Sequence, residues 1–276
     1  MPHTTGAGKG IARSLASRRD SHKRPLQLWQ TTDAMPATQD FKTNFCFPVR
    51  VLANDKIKLV PFDKERHAQR FHALAGSDAV LFTYTPSGPW HSLEEFQTEF
   101  VEKTSYARPD FFTYAVIDTT RPASAEDDEG ELAGMMSYFQ SSTTTRTTEI
   151  GWVYILPPYQ RTHVATNAAG LLVRYALDRP EDGGLGLARV QWRAHARNAG
   201  SIKLAHRLGF NDEGITRWHM LFKDGVARGK TGNGRGLPPG GDPQDLWRDT
   251  ATLSICWDDW VEGGRELVQA AMDRKQ

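Results

Sequence analysis

The hydrophobic pattern is sharpest between Glu149 and Phe210. From Ile150 to Leu156 the residues are apolar and mostly β-branched or aromatic, and Pro157-Pro158 follows, removing two backbone donors and fixing φ. A buried strand with an abrupt stop is predicted. After a polar stretch, Ala165, Ala168, Ala169, Leu172, Tyr175 and Ala176 recur at helical spacing. The layout then repeats: a strand from Arg189 to Ala194, the tetrapeptide Asn198-Ala199-Gly200-Ser201, and a short helix ending at Leu208-Gly209-Phe210, where Gly209 suits a left-handed C-cap. Two strand-to-helix units side by side are expected.

Elsewhere the periods are shorter. Ile57, Leu59 and Pro61 alternate with polar residues as a strand, and a helix is predicted from Lys64 to Leu74. Ser92 followed by Glu95 reads as a capping box opening a helix to about Thr104. Phe111 to Ile117 and Leu132 to Phe139 read as a strand pair joined by the acidic run Glu126 to Glu131, expected to be a solvated loop. After a turn at Thr143 to Thr148, three antiparallel strands thus lead into the central stretch. Gly214 to Phe222 and Ala251 to Trp257 read as further strands, and Asp258 to Met272 as a helix. Lys223 to Asp249, rich in Gly and Pro, is expected to be a mobile insertion. Its GNGRG neither follows a strand nor opens a helix, so it is not read as a phosphate loop.

Residues 1 to about 45 show no apolar period and are assigned to a tail. Residues 46–276 are expected to form one domain with an insertion at about 224–248. Among the first thirty residues, Lys9, Arg13, Arg18, Arg19, Lys23 and Arg24 face one acid, Asp20. Such a bias fits either a mitochondrial transit segment or a plain basic extension upstream of Met35, with a cytoplasmic chain as the default.

Composition narrows the function classes. A formal net charge of +1 provides no global field to recruit nucleic acid or membrane, and no apolar run approaches the ~20 residues of a bilayer span. Cys46 and Cys256 are far apart and show no metal-ligand spacing, so neither a disulfide framework nor a metal site is expected.

The order strand, Gln160-Arg161-Thr162-His163-Val164-Ala165, helix, strand, Asn198-x-x-Ser201, short helix, Arg207-Leu208-Gly209-Phe210 resembles the acetyl-CoA core of the GNAT superfamily of N-acetyltransferases. It is nearest to the branch that acetylates ribosomal-protein N-termini. The resemblance spans roughly Ile57 to Trp260. It implies a mixed α/β fold: a central, mostly antiparallel sheet flanked by helices and splayed at the cofactor site. The co-substrate would be acetyl-CoA, the acceptor an amine (a protein N-terminus or a small molecule), and the chain a monomer or homodimer without metal. In the family the turn reads Q/R-x-x-G-x-G/A, and His163 here replaces its first glycine. A glycine lets the backbone approach phosphate without a β-carbon in the way.

The start of a helix supplies unpaired N–H groups and a partial positive charge, which suits a pyrophosphate. The resemblance therefore assigns Gln160, Arg161, Thr162, His163, Val164 and Ala165 to the cofactor, with Val153 and Ile155 offering backbone groups to its pantetheine arm and Asn198 a side-chain contact. Glu149 is the candidate general base, against the alternative of a strand-end carboxylate paired with Arg146. Ser201 is the candidate acid, against the alternative of a helix-start hydroxyl. At pH 7 a lysine-type amine is neutral in about one molecule in a few thousand and an α-amine in roughly one in seven, so the need for a base depends on the acceptor. Tyr84, Trp90, Phe96, Trp152, Tyr159 and His219 are possible acceptor-pocket residues that would otherwise be core. A non-catalytic acyl-CoA-binding or interaction module is the alternative function.

Overall fold

The structure, a computed structural model, describes residues 41, 43–76 and 78–274. Its strands are β1 (Leu52–Ala53), β2 (Ile57–Pro61), β3 (Phe112–Asp118), β4 (Glu131–Ser142), β5 (Thr147–Ile155), β6 (Arg189–His195), β7 (Asn211–Phe222) and β8 (Leu246–Cys256). They form one sheet in the order β1-β2-β3-β4-β5-β6-β8-β7. Only β5 and β6 run parallel. A parallel pair needs a long crossover, and the Ala-rich segment between these strands supplies it as a helix.

The helices are α1 (Lys64–Phe71, continued by His72–Gly76), α2 (Ala79–Phe82), α3 (Leu93–Glu95, continued by Phe96–Tyr106), α4 (Val164–Leu177), α5 (Ala199–Arg207), α6 (Trp257–Asp259, continued by Trp260–Gly264) and α7 (Arg265–Asp273). The expected elements between residues 57 and 272 are present with shifts of boundary, except that the helix expected from Asp258 to Met272 is broken at Glu262 and at Gly263, which takes φ +122°. Gly209 takes φ +85°, and the bonds from Gly209 N–H to His206 O and from Phe210 N–H to Ala205 O close α5 as a Schellman motif.

The differences have local causes. Ser92 caps α3 by accepting from the Glu95 N–H, but the Glu95 carboxylate accepts from His91 N–H instead of completing the box at Ser92. In the acidic run, Asp127 is buried and paired with Lys58 at 2.6 Å, so this part of the loop is held to β2 and is not solvated. β8 begins at Leu246, earlier than expected, and the segment read as a mobile insertion packs back on the domain. The Lys230 ammonium donates to the carbonyls of Phe82 and Ser87 at 2.9 Å and of Gly88, and Thr231 N–H donates to Thr83 O at 2.9 Å. These anchors run to backbone carbonyls, which leave no trace in composition. Residues 1–40, with the basic segment and Met35, lie outside the described residues; Phe41 and Phe45, placed in the tail by the sequence, pack against the core.

The two faces of the sheet have different roles. On one face Tyr138 of β4 donates to Leu172 O in α4, and Trp192 of β6 donates to Ser201 in α5. On the opposite face α1 and α3 press an aromatic cluster onto β5. Phe71 lies 5.1 Å from Phe96 and 6.4 Å from Tyr154, and Phe100 lies 5.1 Å from Trp152, centroid to centroid.

Between these faces the sheet opens. β5 and β6 pair from Thr147↔Arg189 to Ile150↔Trp192 and no further. Beyond that point β5 stays with β4 and β6 stays with β8. In the open half, β5 carries a bulge: Phe139↔Glu149 and Ser137↔Gly151 are followed by Met135↔Tyr154, and Trp152 takes φ +53°. Directly opposed residues of an antiparallel pair share a face. The bulge therefore returns Tyr154 to the face of Glu149, where strict alternation would have sent it to the other.

Gly134 of β4 lies against the bulged stretch, where a Cβ would stand 2.2 Å from Tyr154 O. Gly134→Ala should therefore push β4 from β5 and destabilise the domain by roughly 2–3 kcal/mol. A melting temperature lowered by about 5–10 °C is expected in a thermal denaturation experiment; an unchanged midpoint would show that the bulge tolerates the extra carbon.

Candidate active site

On the face of α1 and α3, the end of the β5–β6 pairing gathers charged side chains. Glu149 is buried, and its Oε2 accepts from Arg193 Nε at 2.6 Å and from Gln191 Nε2 at 3.2 Å. Gln191, Arg193 and His195 alternate along β6 and oppose Ser254, Thr252 and Thr250 of β8, so they share the Glu149 face. Burial raises the Glu149 carboxyl to about 7, against the lowering effect of Arg193 and Gln191. Its Oε1 has no hydrogen-bond partner among the described residues. One oxygen is held by β6 and the other is free to take a proton.

Arg248 of β8 joins this group. It is 7% exposed and donates from Nε to Thr250 Oγ1 at 2.9 Å and from Nη1 to Tyr84 O at 3.5 Å. Burial lowers its guanidinium to about 10, with Glu149 opposing that shift. His219 Nδ1 meets the same Thr250 hydroxyl at 3.0 Å. His195 accepts from Arg197 N–H at Nδ1, which leaves the Nε2 proton to be donated to Thr231 O at 2.9 Å. The ring is thereby held neutral, and burial lowers it to about 4. The loop after α2 closes this side, with Tyr84 5.3 Å from the His195 ring.

The other face holds the two helix starts. Asn198 caps α5 by accepting from Ser201 N–H at 3.1 Å. The Ser201 hydroxyl accepts from Trp192 Nε1–H at 2.9 Å, so its own proton can be donated elsewhere. The start of α4 is different, because no side chain caps it. Its first N–H groups point out of the helix with only a 3.3 Å contact from Val164 N–H to the Thr162 hydroxyl. Arg207, the last residue of α5, donates to Thr166 at 3.0 Å and ties the end of α5 to the first turn of α4.

Each sequence candidate has a definite place. Gln160 donates its amide to Ile155 O at 3.0 Å, which ties the turn to the strand end and occupies that carbonyl. Arg161 is exposed with φ +60°, while His163 is right-handed with φ −62°. The turn thus requires no glycine at His163 on conformational grounds. The His163 imidazole lies 3.2 Å from Asp118 of β3. Val153 and Ile155 lie on the stretch of β5 without a β6 partner. Arg146, considered as the partner of Glu149, instead donates to Gly186 O. Trp90, Phe96 and Tyr159 are buried in the core, and Trp152 packs between Phe100 and Phe111.

Sequence reasoning missed Arg193 and Arg248. Arg193 had a signal, since Gln191, Arg193 and His195 put polar groups at every second position of a strand that was otherwise apolar. Arg248 had none, because it fell inside the segment read as a loop.

Residues 56–211 match the family model of the acetyltransferase (GNAT) domain. A GCN5-related N-acetyltransferase from Brucella melitensis is 25% identical over 81% of this chain and 85% of its own, with a TM-score of 0.62. A probable GNAT acetyltransferase from Chromobacterium violaceum is 25% identical over 83% of this chain and 97% of its own, with a TM-score of 0.61. Mycobacterium smegmatis RimJ in complex with CoA-disulfide shares the fold at 14% identity, over 78% of this chain and 88% of its own, with a TM-score of 0.55. No curated protein matches the chain. The splayed sheet, the uncapped helix after β5 and the family match lead to one assignment: the chain belongs to the family of GNAT acetyltransferase domains.

Proposed function

We propose that the chain is an N-acetyltransferase that moves an acetyl group from acetyl-CoA to a primary amine by direct attack, with the acceptor at Glu149 and the cofactor on the face of α4 and α5. One observation carries the reading. The strands part just beyond Glu149, and the two faces joined by that opening carry complementary equipment: a buried carboxylate with one free oxygen on one side, and an uncapped helix start with a free hydroxyl proton on the other.

The residues fit the cofactor. The first turn of α4 offers N–H donors to a pyrophosphate, and the unpaired stretch of β5 around Val153 offers backbone groups to amides. The Asn198 side-chain NH₂ has no hydrogen-bond partner among the described residues, its carbonyl being used to cap α5. In catalysis Glu149 takes the amine proton at Oε1, aided by a carboxyl pKa of about 7 that suits a base at neutral pH. Ser201 gives a proton to the departing sulfur, and the indole N–H of Trp192 polarises its hydroxyl for that task. Arg193 orients the Glu149 carboxylate.

Ala165 is the second residue of α4. An acid there suits the helix dipole, so Ala165→Asp should fold normally and yet lose CoA affinity strongly through charge repulsion beside the pyrophosphate. Calorimetry showing unchanged CoA affinity would overturn the placement.

Glu149→Gln and Ser201→Ala should fail in different ways. Wild-type kcat/KM should climb as pH rises through about 7 and the carboxyl ionises. The Glu149→Gln variant should lack that limb, with its deficit narrowing at higher pH as the amine deprotonates unaided. A deficit that is constant with pH would assign Glu149 to structure. Ser201→Ala should lower kcat by about 10²-fold with CoA affinity unchanged; a near-normal kcat would remove Ser201 from the chemistry.

A further inference from the structure

The acceptor side of the opening has more positive charge than its own residues neutralise. Arg193 is matched by Glu149 at 2.6 Å. Arg248 has no carboxylate within ion-pair distance among the described residues, although it is 7% exposed. Its two hydrogen bonds, to Thr250 Oγ1 and Tyr84 O, go to neutral oxygens and use two of its five N–H donors. The adjacent acid, Asp249, cannot help. Alternation along β8 turns it to the other face, where it accepts from Trp218 N–H at 2.8 Å and pairs with Arg235 at 3.2 Å.

The surroundings add positive charge. Arg228 reaches the loop after α2 from the other side and bonds the backbone carbonyls of Pro86, Gly88 and Lys223, while Lys230, whose ammonium burial lowers to about 7, bonds those of Phe82, Ser87 and Gly88. His195 is held neutral by its two bonds. His219 is lowered by burial, then by Arg193 and Arg248, which is the sign a surplus of positive charge imposes. The Tyr154 hydroxyl is buried beside the Thr85 side chain and has no well-formed hydrogen bond among the described residues. Because the bulge puts Tyr154 on the Glu149 face, this donor belongs to the same chamber.

A buried guanidinium with free donors and no counter-ion is costly unless an anion completes it. The backbones bearing Glu149 and Arg248 are not level, since Ser254 stands opposite Gln191 and Arg248 lies six residues further along β8. The side chains approach because Glu149 is bonded to Arg193 and Arg248 to Thr250, diagonal neighbours across the β6–β8 pair roughly 7–8 Å apart. The side chains of Glu149 and Arg248 project from the same face into the space between. An amine at Glu149 therefore has a planar, bidentate anion receptor a few bonds away.

We infer that the acceptor is a small amine that itself carries a carboxylate, an amino acid or a close relative, with its amine at Glu149 and its carboxylate at Arg248. The inference rests on the acceptor face proposed above. A polycation would offer no anion to the three N–H donors that Arg248 leaves unused.

Matched triplets of acceptors test this: free L-amino acids, the same amino acids as carboxamides, and the corresponding decarboxylated amines, with spermidine as a polycation. Transfer is followed by release of CoA thiol. Binding to the CoA-loaded protein is followed separately by calorimetry, which needs no turnover. For the wild type, kcat/KM and affinity should favour the free carboxylate by roughly 10- to 100-fold over the amide. In Arg248→Gln that ratio should fall towards one with acetyl-CoA affinity retained, and Arg248→Lys should restore part of it. A wild-type preference for amides, decarboxylated amines or spermidine, or equal binding of all of them, would overturn the inference. Carboxylate-selective binding without CoA release would keep the acceptor class and overturn the transferase reading. If Arg248→Gln does not fold, the wild-type triplets decide the matter alone.

Discussion

The parting of β5 from β6 beyond Ile150 and Trp192 is the constraint on which the rest of the site depends. Backbone groups of a sheet interior need partners, so a stretch of β5 left unpaired on one side must be supported by other means. Here β4 grips it through the bulge at Trp152, the Pro157-Pro158 stop prevents the strand from running on, and Gln160 ties the strand end to the turn. The gap is held open by these features, and in the proposed function an acetyl group passes through it between the faces.

The same parting explains why the buried charges lie where they do. Glu149 stands beside the last β5–β6 pair, where the removal of water raises its carboxyl and an arginine on the next strand keeps it in place. Truncating one partner of such a pair leaves an uncompensated buried charge, at a cost of about 3–5 kcal/mol. That stability is risked for a group whose pKa sits where a base is most useful. Arg248 increases the tension, as it is buried with no carboxylate within ion-pair distance among the described residues, and Glu149 offsets only part of the effect of its burial. The two arginines and one carboxylate form a cluster that an anionic group would complete.

Much of the fold was legible because its signals are local. The apolar run ended by two prolines, the alanine period of α4 and the Gly209 cap each specify an element through nearby residues alone. The paired strand–helix units and the motif residues Gln160 to Ala165, Asn198 and Ser201 were readable for the same reason. What was not readable depends on contacts between distant segments. Lys230 fastens the Gly- and Pro-rich segment to carbonyls around Phe82 and Gly88, and no composition rule shows that bond. Arg193 was chosen over Arg146 as the partner of Glu149 by the β5–β6 register, which is a property of the assembled sheet. The bulge at Trp152, which decides that Tyr154 and Glu149 share a face, is hidden in a run of strand-forming residues.

A crystal structure of the CoA complex tests the central feature most directly. The sulfur is expected at the opening between Ile150 and Trp192, with the pyrophosphate against the first turn of α4 and the pantetheine arm along the unpaired edge of β5. A sulfur lying away from that opening, or a cofactor bound on the face of α1 and α3, would contradict a site divided between the two faces of the sheet.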